Sequence, residues 1–314
     1  MALIPLDADG ENSAQQASDA LVRQGDLLRE KGDFTGALNS YRDSLGIIQR
    51  LATIDPNKLK WQWSLSMNHE RVGDALRARG DLPGATLAYQ KSLRMIQTLA
   101  KAHSSNASLQ RDLSVSLNKV GDMLRVQRDL RGAMQAHRES LTIIQRLAAL
   151  DPANTTWQRD LCVSRNKVGD VLRAQGNLLP ALEIYRESLT AARRLAASEP
   201  ADVNWRRDLS VSLNKVGDLL RARGDLAGAL RVYEESLILV HQLATANPAN
   251  AGLQRDLWAG CSRMAVVTEQ DAPSEARLWW DKAYEILFGM KKRGLPLSPE
   301  DQKHFERIRR KICA

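Results

Sequence analysis

Apolar positions along the chain follow two helical stripes separated by a break, and the pair of stripes recurs every 48 residues. Around Gly217-Asp218, residues Leu213, Val216, Gly217 and Leu220 sit three, one and three positions apart. A 100° step places them on one side of a helix, here called helix A. Gly224-Asp225 then breaks the pattern with a residue that tolerates positive φ. A second stripe follows in Leu226, Ala229, Leu230, Tyr233, Leu237 and Val240, which predicts helix B. Asn247-Pro248-Ala249-Asn250 closes the unit before the next helix A.

The repetition is close to literal. Gly-Asp pairs at 25, 73, 121, 169 and 217 are spaced by 48, and Arg111 to Arg125, Arg159 to Arg173 and Arg207 to Arg221 are nearly the same fifteen-residue string. Each pair is followed by an Ala at 37, 85, 133, 181 and 229, then by Tyr at 41, 89, 185 and 233 with His137 in the third copy. Ser completes the set at 44, 92, 140, 188 and 236. These small columns let two helices approach closely where they cross, and the aromatic column fills the gap beside them. One supersecondary unit copied in register buries its apolar face only against its neighbours, so the chain reads as a repeat array.

A Gly in helix A, an Ala twelve residues on, an aromatic four later and a small residue three beyond that resemble the tetratricopeptide repeat, in all five clear copies. The resemblance implies an all-α, right-handed α-solenoid of about six antiparallel helix pairs, a TPR-like superhelix in which one face of helix A lines a concave groove. The usual repeat is about 34 residues, and the late helix breakers Pro56, Pro152, Pro200 and Pro248 predict longer helices. At 1.5 Å per residue, roughly 18 to 20 residues span about 27–30 Å. Similar long-helix arrays occur in bacterial proteins alongside signalling or protease domains, which implies a bacterial, non-catalytic scaffold that binds protein or peptide.

Three segments are expected. Residues 1–12 carry breakers without periodicity and read as a mobile tail, with the first helix A starting near Ser13. Residues 13–264 form the array. Residues 265–314 hold a divergent sixth pair, its seam degraded to Ala265-Val266 but its Ala276, Trp280 and Ala283 spacing kept, and a capping helix. Ser298-Pro299-Glu300-Asp301 is an N-terminal helix signature, and Phe305, Ile308 and Ile312 give that helix one apolar stripe.

Composition narrows the function. The first residues lack a basic stretch followed by an apolar one, and no run approaches a membrane span, so a cytoplasmic protein is expected. Cys162, Cys261 and Cys313 are odd in number and share no spacing, which favours free thiols over disulfides or a metal site. Of the net charge of +8, residues 291–312 supply +5, so the array is nearly balanced and a nucleic-acid partner is disfavoured. The five His share no column, and no nucleotide loop or His-Glu-x-x-His pair is present, so neither catalysis nor a cofactor is expected.

The remaining candidate is the face of helix A turned from helix B. Val211, Asn214, Asp218 and Arg221 cluster within about 80° of arc, and the set recurs as Val115, Asn118, Asp122, Arg125 and as Val163, Asn166, Asp170, Arg173. The partner-binding residues so assigned are Asn118, Asn166 and Asn214, the column Arg77, Arg125, Arg173 and Arg221, and the flanking Lys119, Lys167 and Lys215. A carboxamide both donates to and accepts from a peptide backbone, and Arg suits carboxylates. The competing role for the same residues is structural, with Asn bridging helices and Asp pairing with Arg one turn away. The order Asn then Asp also departs from the Lys then Asn of repeats that clamp a C-terminal carboxylate. Two further readings are a nucleic-acid-associated regulator acting through the basic C-terminal helix, and an accessory subunit of a separate enzyme.

Overall fold

The computed structural model describes residues 8–313, with the side chains of Ala8, Pro299, Ile312 and Cys313 outside that description. Among the described residues there are thirteen α-helices, and the chain divides into two compact units, residues 1–151 and 152–314. The first unit holds three helix pairs: α1 (Ala8–Glu30) with α2 (Phe34–Ile54), α3 (Leu59–Ala78) with α4 (Leu82–Ala102), and α5 (Ala107–Val126) with α6 (Leu130–Leu150). The second holds α7 (Thr155–Ala174) with α8 (Leu178–Ser198), α9 (Val203–Ala222) with α10 (Leu226–Ala246), and α11 (Ala251–Thr268) with α12 (Pro273–Lys292). It ends in α13 (Pro299–Cys313). Within each unit every helix packs on its neighbours in sequence, giving a tetratricopeptide-like stack of pairs.

The two helices of a repeat are 20 and 21 residues long from α3 through α10, which accounts for the 48-residue period. In the first five pairs the A-to-B turn passes through a left-handed residue: Gly32, Gly80, Gly176, Gly224 and, in the third repeat, Arg128 at φ 67°. The next residue reaches back to close the helix, as Asp81 N–H does to the Leu76 carbonyl at 2.9 Å. The same Asp then caps helix B: Asp33, Asp81, Asp129 and Asp225 accept from the N–H three residues on. Asn177 makes no such bond, because the third residue after it is Pro180 and has no N–H.

The column residues meet where the helices cross. Ala37, Ala85, Ala133, Ala181 and Ala229 are fully buried, as are Tyr41, Tyr89, Tyr185 and Tyr233. The Ser column is buried as well, and three of its members staple helix B to its own helix A: Ser140 donates to Ser114 O, Ser188 to Cys162 O and Ser236 to Ser210 O, at 2.8 to 3.1 Å. Cys162 and Cys261 are buried free thiols, and burial pushes both up to about 11.

Segment boundaries differ from expectation at both ends. α1 starts at Ala8, not near Ser13, with Asp9 and Glu11 in its first turn, where carboxylates favour a helix N-terminus, and with Glu11 taken by Lys58. Residues 1–7 of the expected tail lie outside the described residues. The 264/265 boundary falls inside α11, so the sixth pair begins at Ala251, and Ala276, Trp280 and Ala283 are its buried contacts. On α13, Ser298 and Asp301 cap each other reciprocally, and Ile308 is buried against the sixth pair while Phe305 packs at its margin.

Candidate functional site

The seam Asp is the acceptor for the aromatic column. Tyr41 donates to Asp26, Tyr89 to Asp74, Tyr185 to Asp170 and Tyr233 to Asp218, at 2.6 to 2.8 Å. At Asp74, Asp170 and Asp218 a cation from the next helix A then closes the same carboxylate. In the first unit Lys119 holds both Asp74 oxygens at 2.7 Å; in the second, Lys215 holds Asp170 at 2.6 and 2.8 Å, and Arg263 holds Asp218 at 3.1 Å. Burial and the facing carboxylate drive all four Tyr hydroxyls well above their ordinary range, so they remain donors. The sequence signal for this arrangement is the co-occurrence of the Asp, Tyr and Lys columns.

A second ladder joins successive A helices nearer their N-termini. Trp63 donates to Asp112 at 2.7 Å, Arg159 pairs with Asp208, Arg207 with Asp256 at 2.5 Å, and Arg255 with Asp301 at 2.8 Å. The repeated Arg-Asp dipeptide carries this signal, since Arg159 and Arg207 each meet the Asp of the next repeat. Because Asp301 belongs to α13, the last helix docks in the place a seventh helix A would take. The Arg159–Asp208 and Arg207–Asp256 pairs, part-exposed, are worth about 0–1 kcal/mol each and set register more than stability.

The predicted groove residues separate into different environments. Asn118 is 9% exposed, and its Oδ1 lies 3.0 Å from Nδ1 of the fully buried His137. That aromatic-column substitution draws it into the interior. The same column position in the preceding repeat is Glu70, whose carboxylate meets Lys119 at 3.1 Å. Asn166 and Asn214 are half-buried, each with a buried Oδ1 that has no hydrogen-bond partner. Lys119 and Lys215 are committed to carboxylates as described, and Lys167 is half-buried. Arg77, Arg173 and Arg221 are exposed at the C-terminal ends of their helices, and Arg125 is half-buried.

In the second unit part of this face lines real clefts. One of about 310 Å³ lies between α9, α11 and α13 and includes Val211, Asn214, Lys215 and Asp218 on one wall and Trp258, Arg255 and His304 on the others. A second, of about 250 Å³, shares Asp218, Trp258, Arg263 and His304 and adds Arg221, Ser262, Trp280 and Arg307. A larger, mostly apolar cleft of about 760 Å³ lies between α10 and α12 over Cys261 and Met264, away from the Asn, Asp and Arg columns. None of the helices among the described residues is long and apolar enough to cross a membrane.

Residues 161–200 and 209–243, the α7–α8 and α9–α10 repeats, match the family model described as Tetratricopeptide repeat. No curated protein matches the chain significantly. Among solved structures, BtubC from P. vanneervenii is 18% identical, with 87% of this chain and 92% of that one aligned at a TM-score of 0.59. The apo form of RapI is 10% identical, covering 94% and 98% at 0.60. A Signal Transduction ATPase with Numerous Domains protein with a tetratricopeptide repeat sensor, from Pyrococcus horikoshii, is 11% identical at 0.58, covering 97% of this chain and 44% of that one. At these identities the likeness is one of fold.

Proposed function

We propose that this chain, two of whose repeats match the tetratricopeptide family model, acts as a non-catalytic scaffold or adaptor, binding a peptide segment or protein partner along the groove face of its A helices. The observation that carries this reading is the pair of clefts between α9, α11 and α13, which gather Asn214, Arg221 and the exposed Val211 on one wall. A carboxamide beside an exposed apolar side chain suits an extended peptide, whose backbone asks for hydrogen bonds and whose side chains ask for contact. Lys119 and Lys215 contribute by fixing the spacing of successive A helices through Asp74 and Asp170. Buried free thiols at Cys162 and Cys261 suit a reducing compartment, and we place the protein in a bacterial cytoplasm.

A second reading rests on Lys303, Arg307 and Arg310, which are exposed on α13 at spacings of four and three and therefore share one face. Such a stripe is the footprint of a nucleic-acid contact. The two readings separate on one set of measurements. A partner is captured from the native host by pull-down and identified by mass spectrometry, then titrated by calorimetry. Asn166→Ala with Asn214→Ala lowers its affinity at least about tenfold, or about 1.4 kcal/mol, with helix content unchanged. Unaltered affinity rejects the groove. Loss only in Lys303→Glu with Arg310→Glu, together with a steep fall of binding on adding salt, transfers the function to α13.

A further inference from the structure

The two clefts of the second unit differ in charge. The one nearer the N-terminal end of α13 carries Asp256, Glu300 and Asp301 as well as Asp218, against Lys215, Arg255 and Arg263. The other has Arg221, Arg263 and Arg307 against Asp218 alone. That single carboxylate is already occupied, accepting from Tyr233 at 2.8 Å and from Arg263 at 3.1 Å. Asp218 is paired with Arg263, while Arg221 reaches the Tyr233 hydroxyl and Arg307 is exposed on α13. Two guanidinium groups, one from the last turn of α9 and one from α13, thus border one pocket whose single carboxylate is already paired with Arg263.

Neutral donors line the same place. The indole N–H groups of Trp258 and Trp280 and the hydroxyl of Ser262 are buried without a hydrogen-bond partner, and the two Trp side chains are only 6% and 5% exposed. A buried donor left unmet costs roughly 1–3 kcal/mol. Three beside one pocket mark a place where an acceptor is wanted. A volume of about 250 Å³ takes one acidic side chain and not a length of backbone.

We propose that the pocket between α9, α11 and α13 is a subsite for a side-chain carboxylate of an acidic partner segment. The proposal rests on the groove reading above and deepens it: Arg221 and Arg307 grip the carboxylate as charge-assisted donors, and Trp258, Trp280 and Ser262 line the same pocket with unmet donors. The acid-lined neighbouring cleft takes a neutral stretch of the same peptide. Since Arg307 and His304 come from α13, the helix that ends the array also completes the subsite.

The test uses the full chain and a synthetic decapeptide of Ala and Ser with a central Glu pair, acetylated and amidated so that its only charges are side-chain carboxylates. Binding is followed by Trp fluorescence, which Trp258 and Trp280 report, and by calorimetry. The Glu peptide binds; its Gln counterpart binds at least about tenfold more weakly. Arg307→Ala and Arg221→Gln each weaken the Glu peptide severalfold, Arg307→Lys restores part of the loss, and added salt reduces the preference. Arg221 and Arg307 are exposed, so these variants keep the wild-type melting profile by circular dichroism. Equal affinity for the Glu and Gln peptides overturns the proposal, and so does full binding by Arg307→Ala. Stronger binding of a neutral peptide with a free C-terminus, or displacement by inorganic phosphate at comparable concentration, overturns the side-chain assignment. Should Asn166→Ala with Asn214→Ala abolish binding of the host partner while the Glu and Gln peptides bind alike, the scaffold reading stands and this subsite falls.

Discussion

The ring of Tyr233 occupies the space that a Cβ on Gly217 would need, since an atom built there lies 2.5 Å from Tyr233 Cε1. Gly25 with Tyr41, Gly73 with Tyr89 and Gly121 with His137 repeat the relationship at 2.5 to 2.6 Å. The Gly-Asp pair and the aromatic column are therefore one device. Glycine admits the ring, the adjacent Asp receives its hydroxyl, and a cation from the following helix A locks the carboxylate.

Gly217→Ala tests the close approach. Alanine is the better helix former, so on propensity alone the change would stabilise by about 0.5–1 kcal/mol. Overpacking against Tyr233 and Val232 opposes this, and a net loss of about 1–3 kcal/mol is expected. Gly46→Ala is the control, because nothing lies within 4 Å of a Cβ at that position in α2. Denaturant titration shows the first variant less stable and the second equal or more stable than wild type; equal midpoints reject the packing role.

Arg128 holds a left-handed conformation at φ 67° that glycine fills in the A-to-B turns of the first, second, fourth and fifth pairs. A side chain there carries a penalty of roughly 1–2 kcal/mol. Part of that gain is offset by the greater freedom of glycine in the unfolded chain. Arg128→Gly therefore stabilises by about 1 kcal/mol, seen as a higher melting temperature. A lower one would mean that the Arg side chain makes contacts worth more than the strain.

Much of the fold was legible because a helix buries one side at a period the sequence displays. Leu213, Val216 and Leu220 are buried as their spacing requires, and Ser298 does begin the last helix. The site was less so. Whether Asn118 faces solvent depends on what helix B lays over it, and the fully buried His137 in place of Tyr draws its carboxamide inward. The Lys215 to Asp170 pairing depends on the offset between successive A helices, which no single helix period encodes. The pocket at Arg307 exists only because α13 docks where a further helix A would stand, a placement fixed by the Arg255 to Asp301 bond.

Two half-buried carboxylates predict opposite pH responses. Burial pushes the Asp170 carboxyl up, but Lys215 and the Tyr185 hydroxyl outweigh it and hold the group below its ordinary 3.8. A depressed folded value gives stability that is complete above the ordinary value and lost as pH falls through the folded one. Asp170→Asn thus costs most near neutrality, and its deficit closes in acid. Glu70 is raised, because its burial exceeds what Lys119 returns. Its ionised form then opposes folding above the ordinary value, so Glu70→Gln raises stability at pH 7 and loses that advantage on acidification. Denaturant midpoints across pH decide the matter; parallel curves for the two variants would refute the difference in balance.

Removing residues 298–314 tests the capping role of α13. Its Ile308 is buried with Trp258, Trp280, Leu287 and Met290, and Asp301 ties it to Arg255. Without it the sixth pair presents those side chains to water, and a terminal repeat lacking a polar outer face associates with other copies. Burial of a large apolar side chain is worth about 1.5–3 kcal/mol, so losing the cover from several at once is expected to lower the melting temperature and produce oligomers by size-exclusion chromatography. Ile308→Asp in the full chain is the finer probe, since it keeps every residue of the segment but places a charge in the contact. If the truncated chain and Ile308→Asp both remain monomeric and melt as wild type does, α13 is no cap, and its basic face is free to serve a role of its own.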